Sequence, residues 1–472
     1  MMTTYEESLT NVVEEFPEVQ EIVELLQGIQ PDERVLIFSH DDPDGLGAAG
    51  ILHRYLERRG IECYVEFPHR FDLTPDEVRD VIDREGEFDY LFITDKGTFS
   101  QYNDLREVMK PVVVVDHHPS DDYPDECYTY NPADATCGGH QMHQIISIAD
   151  PDGIDSFDDF LALLSLRSDW TIQPLRGVIP DFVKPFYEKI KQQWPDWIEP
   201  IESRPTWMEI DQRDETLLIN QVSELYFALT GGGFQYFYND RIPALENRDQ
   251  TKFGYDVLME YGGDGFDASS VGTLDEFISA LPESDTVQAV FDEYLNDWKE
   301  GMERLDKTIL LDEIGPVDFH LYTGEDTPLM PMVGSVKLGK LAEKNEQGKA
   351  AIIMLNWKPG QGDDVNVHVS FRSTGGGTHM GNIASELADR VVERYGDPGK
   401  NTGGGHPPAA ELTLRTDGIR PLGPLRLLMS QLDELKEFAE SDNRGELSED
   451  ERERAVKLGL KYLEEEDEAT VH

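Results

Sequence analysis

A chain of 472 residues is longer than one ordinary hydrophobic core organises, so two or three domains are expected. Its 95 Asp and Glu against 41 Lys and Arg give a formal net charge of −54, yet 39% hydrophobic and 10% aromatic content excludes a disordered acidic polymer. Cys63, Cys127 and Cys137 form no CxxC pair, which excludes a zinc ribbon and a disulfide framework, and no stretch approaches the roughly 20 apolar residues of a membrane span.

Acidity spread from end to end keeps a surface soluble where abundant cations screen it, so the expected setting is the cytoplasm of a halophilic cell. The start, MMTTYEESLT, lacks the basic-then-apolar form of a signal peptide, so a reducing, cytoplasmic compartment and no membrane partner are expected.

In chain order, Val12, Val13, Phe16, Val19, Ile22, Val23 and Leu26 recur at helical spacing, with Pro17 dividing two N-terminal helices within 1–34. From Val35 short apolar runs alternate with amphipathic segments: VLIFSH, a helix over 46–59, YVEF, a helix, YLFITD, a helix, then VVVVDHH. That order predicts an α/β domain with a parallel sheet over 35–175, closed by helices over 139–149 and 156–170. Thr74, Pro75 and Glu77 supply the cap, first-turn proline and reciprocal carboxylate that start one of these helices.

Residues 176–330 read as a mostly helical connecting region, with a long helix over 285–307 and an aromatic run from Phe234 to Tyr238 that could stack bases, although such clusters more often pack in a core. A smaller α/β domain follows over 331–425, with strands AIIMLN and VNVHVSF, a helix over 382–395 and a glycine-rich loop. The stretch 426–472 reads as an acidic helical tail.

The chemistry gathers at strand ends. Ser39-His40-Asp41-Asp42-Pro43-Asp44-Gly45 leaves the first strand, Asp95 ends the third, and Asp116-His117-His118 ends the fourth. If the first segment is extended, alternation aims His40, Asp42 and Asp44 at one spot and Asp41 elsewhere. Carboxylates with imidazoles suit Mn²⁺ or Mg²⁺. Neither a GxSxG elbow nor a Walker A loop is present. His140 and His143, three apart on a helix, are expected to pack rather than ligate.

The HxDxDG segment, the strand-ending Asp95 and the DHH triplet resemble the motifs of the DHH phosphoesterase superfamily, and Asp169 in SLRSDWT resembles its fourth motif. The resemblance implies two Mn²⁺ ions, replaceable by Mg²⁺: one held by His40, Asp42 and Asp95, the other by Asp44, Asp95, His117 and Asp169. It further implies that Asp116 supports the site and that His118 faces the scissile phosphate. Gly403-Gly404-Gly405-His406-Pro407-Pro408-Ala409-Ala410, after Arg372 in VSFRS, resembles the substrate-binding DHHA1 domain, which implies phosphate contacts from Arg372, Gly403, Gly404, Gly405 and His406. Glu411 departs from the small residue usual there. Gly375-Gly376-Gly377 and His379 carry no assigned role.

Such a surface charge argues against nucleic acid, but between 337 and 420 eleven Lys and Arg stand against ten Asp and Glu. The substrate domain is spared the acidity. Length and the large middle region resemble archaeal RecJ-type single-strand exonucleases, implying single-stranded DNA or RNA as substrate and the GINS replication complex as a partner. The alternatives are a nanoRNase or nucleotide phosphoesterase, and a GINS-associated replisome component.

Overall fold

The computed structural model describes residues 3–69, 72–118, 120, 123–174, 177–199, 217–233, 236–262, 266–359, 365–375, 377–397, 401–415, 419–440 and 448–460. Phe234, Gly376 and, in the tail, 441–447 and 461–472 lie outside the described residues. The chain divides into two compact units, Met1–Tyr294 and Leu295–His472.

The first unit opens with α1 (Tyr5–Glu15) and α2 (Pro17–Gly28); Pro17 sits in the first turn of α2, where its missing N–H is no loss. Five parallel strands follow, β1 (Arg34–Ser39), β2 (Glu62–Glu66), β3 (Tyr90–Thr94), β4 (Val112–Val115) and β5 (Tyr128–Tyr130), in the order β2-β1-β3-β4-β5. Val35–Ser39, Leu91–Thr94 and Val112–Val115 are buried throughout, so these strands read as unbroken apolar runs rather than alternating ones. The chain leaves β1 for β2 on one side and returns to β3 on the other. That reversal opens a crevice at the strands' carboxyl ends.

Helix α3 (Pro43–Arg58) joins β1 to β2, and α4 (Pro75–Glu85) joins β2 to β3. The α4 start is a true capping box: Glu77 N donates to Thr74 Oγ1 at 3.4 Å, and Thr74 N to Glu77 Oε2 at 2.8 Å. The helix expected between β3 and β4 is instead a 3-10 segment, Ser100–Glu107. Its two buried residues, Tyr102 and Leu105, are three apart, which suits three residues per turn and gives no wider apolar face. The three-residue β5 carries too little pattern to be read in advance.

Helices α5 (Gly138–Ala149) and α6 (Ser156–Ser168) pack on α3. His140 and His143 are both fully buried on α5. His143 bridges Tyr5 Oη (2.7 Å) and Asp159 Oδ1 (2.8 Å), tying α1 to the sheet domain, while His140 Nδ1 lies 2.7 Å from Thr136 Oγ1.

The remaining helices of the middle region are α7 (Lys184–Gln193), α8 (Pro195–Ile198), α9 (Leu218–Thr230), α10 (Gln250–Tyr261), α11 (Leu274–Ala280) and α12 (Ser284–Leu305). On α9 the buried Glu224 accepts a 2.7 Å hydrogen bond from Tyr294. Burial pushes its carboxyl up to about 7, only partly offset by Tyr294 and Arg167. A folded pKa above the unfolded one means that stability present below the unfolded pKa of 4.5 is lost as pH rises through 7. Glu224→Gln keeps the acceptor without the charge. It should match the parent near pH 4 and exceed it by about 3 kcal/mol at pH 8 in urea unfolding. An equal difference at both pH values would contradict this.

The second unit is a mixed six-stranded sheet: β6 (Ile309–Ile314), β7 (Val317–Glu325), β8 (Ala350–Pro359), β9 (Val365–Ser373), β10 (Asn401–Gly405) and β11 (Ala409–Leu414). The order is β10-β11-β9-β8-β7-β6, with β7 and β8 parallel and the other pairs antiparallel. It begins with β6, upstream of the start at 331 that the sequence suggests. Helices α13 (Met330–Ala342), α14 (Met380–Tyr395), α15 (Leu422–Glu440) and α16 (Glu449–Lys457) complete it.

One sheet face carries Phe319, Leu321, Ile353, Leu355, Val369 and Phe371 against Ile383, Leu387 and Val391 of α14 and Leu428 and Leu432 of α15. Each such side chain contributes about 1.5–3 kcal/mol by burial. Among the described residues no helix is long and apolar enough to cross a membrane.

Candidate metal centre

The centre is assembled at the carboxyl ends of β1, β3 and β4. His40 follows β1, and Asp42 caps α3, its Oδ1 accepting from Gly45 N at 2.9 Å while Oδ2 lies 3.0 Å from His40 Nδ1. The segment is therefore not extended through Asp44. Capping by Asp42 and the proline after it start the helix at Pro43, so Asp44 reaches the site from the first turn of α3. Asp41 is buried on the other side of the His40 ring, with Oδ1 3.6 Å from Nε2.

The Asp44 carboxylate is held at the N-terminus of α5, where Gly138 N and Gly139 N donate to Oδ2 and Oδ1, each at 2.8 Å. Both positions exclude a side chain: a Cβ at 138 would lie 2.8 Å from Asp95 Cβ, and one at 139 would lie 2.0 Å from Ser165 Oγ. Gly139→Ala should cost about 1–3 kcal/mol by overpacking and draw the amides off Asp44. Gly28→Ala, with nothing within 4 Å among the described residues, is the control expected to leave stability unchanged in urea unfolding. Equal stabilities for the two variants would contradict the packing argument.

Asp95 follows β3 in the left-handed region, φ 55°. That conformation costs an aspartate on the order of 1 kcal/mol and marks a held position. Its Oδ1 lies 3.2 Å from His117 Nε2 and 3.7 Å from His118 Nδ1, and its Oδ2 3.6 Å from His40 Nδ1. His117 Nε2 is also 3.6 Å from Asp44 Oδ2 and 3.7 Å from Asp169 Oδ2. Asp169 arrives from the C-cap of α6.

These side chains fall into overlapping triads: His40, Asp42 and Asp95; Asp44, His117 and Asp169; and Asp95, His117 and His118. Among the described residues, both oxygens of Asp95 and Nε2 of His117 are buried without a well-formed hydrogen bond, a cost of about 1–3 kcal/mol per group. Carboxylates and imidazoles crowded so tightly, with orphaned atoms facing one another, fit a divalent cation.

The protonation equilibria express the same crowding. Burial, with Asp95 beside it, raises the Asp44 carboxyl well above the usual range, and burial pushes Asp169 up to about 6 despite His117. Burial would raise Asp95 too, but His117 and His40 hold it below the usual range. Burial opposes charge on both imidazoles, yet Asp42 raises His40, and Asp169 with Asp95 raises His117.

Asp116 is fully buried and already saturated. It accepts from Gly97 N (3.0 Å), Thr98 Oγ1 (2.8 Å), His118 N (3.2 Å) and Asn131 Nδ2 (3.3 Å), with His118 Nδ1 at 2.9 Å. It orients His118. Gln141 Nε2 donates to the Asp116 carbonyl at 2.7 Å. Thr98, Asn131, Gln141, Gly138 and Gly139 were not legible as site residues; only the Gly-Gly pair at a helix start was a usable signal.

In the second unit, Gly403, Gly404 and Gly405 are not a loop. They form β10, in register with Leu412, Glu411 and Ala410, because a glycine strand lets α14 approach: a Cβ at 403 would lie 2.6 Å from Ala384 O. Only the turn from His406 to Ala409 is irregular, closed by His406 N to Ala409 O at 2.8 Å. Arg372, largely buried, donates Nε to Ser335 Oγ (3.3 Å) and Nη1 to Phe371 O (2.8 Å) and Ala410 O (3.3 Å), and its Nη2 meets Glu411 Oε1 at 2.7 Å. Glu411, where the sequence departs from the expected small residue, thus occupies the guanidinium and also lies 2.6 Å from His368 Nε2.

Residues 34–162 match the DHH family, N-terminal domain. No curated protein sequence matches the chain. Among solved structures the chain is similar to exonuclease RecJ bound to manganese, at a TM-score of 0.53 and 16% identity, covering 91% of this chain and 97% of that one. RecJ in complex with Mn²⁺ from Thermus thermophilus gives 0.52 and 17%, over 88% of this chain and 54% of that one. CDC45 from Entamoeba histolytica aligns at 9% identity and a TM-score of 0.48, over 88% of this chain and 98% of that one. At these identities the likeness is one of fold. The family match spans the sheet that bears the metal centre, so residues 34–162 are a DHH-family N-terminal domain, within a chain whose fold is RecJ-like.

Proposed function

We propose that the chain is a Mn²⁺-dependent phosphodiester hydrolase that degrades single-stranded nucleic acid from an end, in the manner of RecJ. The observation that carries this reading is the pair of three-residue clusters, His40–Asp42–Asp95 and Asp44–His117–Asp169, adjoining at Asp95. A pair of bound divalent cations supplies a nucleophilic water at neutral pH and neutralises charge on the phosphate.

The protein's own groups hold and orient. His40, Asp42 and Asp95 would hold one ion, and Asp44, His117 and Asp169 the other, with Asp95 adjoining both. Asp116 fixes the His118 ring so that it can hydrogen-bond the scissile phosphate without first reorganising. The amides of Gly138 and Gly139 keep the Asp44 carboxylate aimed at the site.

In the second unit, His406 and the β10 backbone at Gly404 offer phosphate contacts, since a Cβ added at Gly404 would meet nothing within 4 Å among the described residues. A phosphate reaches Arg372 only by displacing Glu411.

The test is end-labelled single-stranded DNA and RNA of several lengths, in molar salt, with Mn²⁺ or with chelator. Expected is a ladder progressing from one end that chelator abolishes. Cleavage confined to oligonucleotides of a few residues would replace the exonuclease reading with an oligonucleotide phosphoesterase. Undiminished cleavage in excess chelator would contradict the cation mechanism.

A further inference from the structure

His69 and Phe237 lie beside the metal centre and take no part in the chemistry above. His69 follows β2, at the same carboxyl edge of the sheet. Its Nδ1 lies 2.9 Å from Asp41 Oδ2, and the other oxygen of that carboxylate lies 3.6 Å from His40 Nε2. Asp41 is 1% exposed, so one buried carboxylate ties the candidate ligand His40 to a second imidazole. Lys96 Nζ donates to Pro68 O at 3.2 Å, fixing the backbone just before His69.

Despite these anchors the His69 side chain is 41% exposed. The Phe237 ring lies beside it, centroids 5.0 Å apart and planes tilted by 46°. Phe237 arrives after α9, where Gly231 at φ 70° makes room; a Cβ there would lie 2.8 Å from Phe237 Cε1. The aromatic run divides here. Tyr238 is buried at 1% exposure, whereas Phe237 remains partly exposed against an imidazole tied to the metal centre.

We propose that His69 and Phe237 form the platform on which a nucleobase flanking the scissile phosphate stacks. The inference rests on the reading of the chain as a hydrolase of single strands. Every base has a π-face, so such a platform grips a strand without choosing its sequence. An imidazole already fixed by Asp41 loses little freedom when a base settles on it, and the shared carboxylate sets the base at a fixed distance from His40.

The experiment compares kcat/KM for a single strand with that for the same strand made abasic over the nucleotides at both ends, using the full chain in molar salt with Mn²⁺. The parent should favour the intact strand about tenfold, within the range that base–aromatic stacking supplies. In Phe237→Ala and His69→Ala the preference should fall to near unity, and Phe237→Trp should retain it. A parent without preference, or a preference preserved in both alanine variants, would overturn the platform. Should the parent cleave no strand at all, the hydrolase reading fails by itself, and stacking is then read from 2-aminopurine at the strand ends. Fluorescence quenched by the parent but not by Phe237→Ala sustains the platform, and absence of quenching by the parent removes it.

Discussion

Replacing Asp95 by Asn should lower turnover on single strands by at least about 10³-fold, the upper end of what loss of one electrostatic stabiliser costs. Asp95 belongs to two of the three candidate triads and lies 3.2 Å from His117 of the third, so on the proposed reading its charge would serve both cations. The fold should survive the change. Asn tolerates the left-handed φ of 55° at least as well as Asp, and neither carboxylate oxygen makes a well-formed hydrogen bond that would be lost. Removing one charge also relieves the crowding with Asp44. Turnover is read from the end-labelled ladder, and integrity from circular dichroism and urea unfolding in molar salt. Turnover within tenfold of the parent would remove Asp95 from the chemistry.

Lowering the salt from molar to about 0.1 M should cut the melting temperature by about 10 °C or more, the shift that several kcal/mol produces in domains of this size. At 0.1 M the Debye length is near 10 Å, so surface acids that molar salt isolates begin to repel one another. A formal charge of −54 makes that repulsion general. Local pairing only partly offsets it. Glu386, for instance, is shared by Arg390 and Arg454 at 2.8 Å each, and Glu434 by the same two arginines at 2.9 and 2.8 Å. The exposed pair of this network, Glu434 with Arg454, contributes only about 0–1 kcal/mol. Identical melting curves at both salt concentrations would mean that the acidity is not an adaptation to salt.

The parallel sheet and the residues at its carboxyl edge were legible because strands buried on both faces leave unbroken apolar runs, and a charged residue ending such a run has nowhere to go but the crevice. Asp42 was legible as a candidate ligand but not as the cap that turns Asp44 onto a helix. That outcome depends on a competition between extended chain and helix start which Pro43 decides. The Gly138–Gly139 amides meet Asp44 across more than ninety residues of sequence, and no local pattern announces such a contact.

In the second unit Gly403–Gly405 resembled a loop because glycine lowers strand propensity. Packing against α14 overrides the propensity, since only a strand without side chains admits the Ala384 carbonyl so closely. The significance of Glu411 was likewise visible only as a departure. Its meeting with Arg372 and His368 follows from the β9–β11 register, which pairs Glu411 with Ser370 between them.

On the proposed reading, two cations are held together by residues adjoining at Asp95. Calorimetric titration of the metal-free full chain with Mn²⁺ in molar salt tests it without reference to any substrate. Two ions per chain are expected for the parent and no more than one for Asp95→Asn. One ion or none in the parent, or two retained in Asp95→Asn, would contradict it.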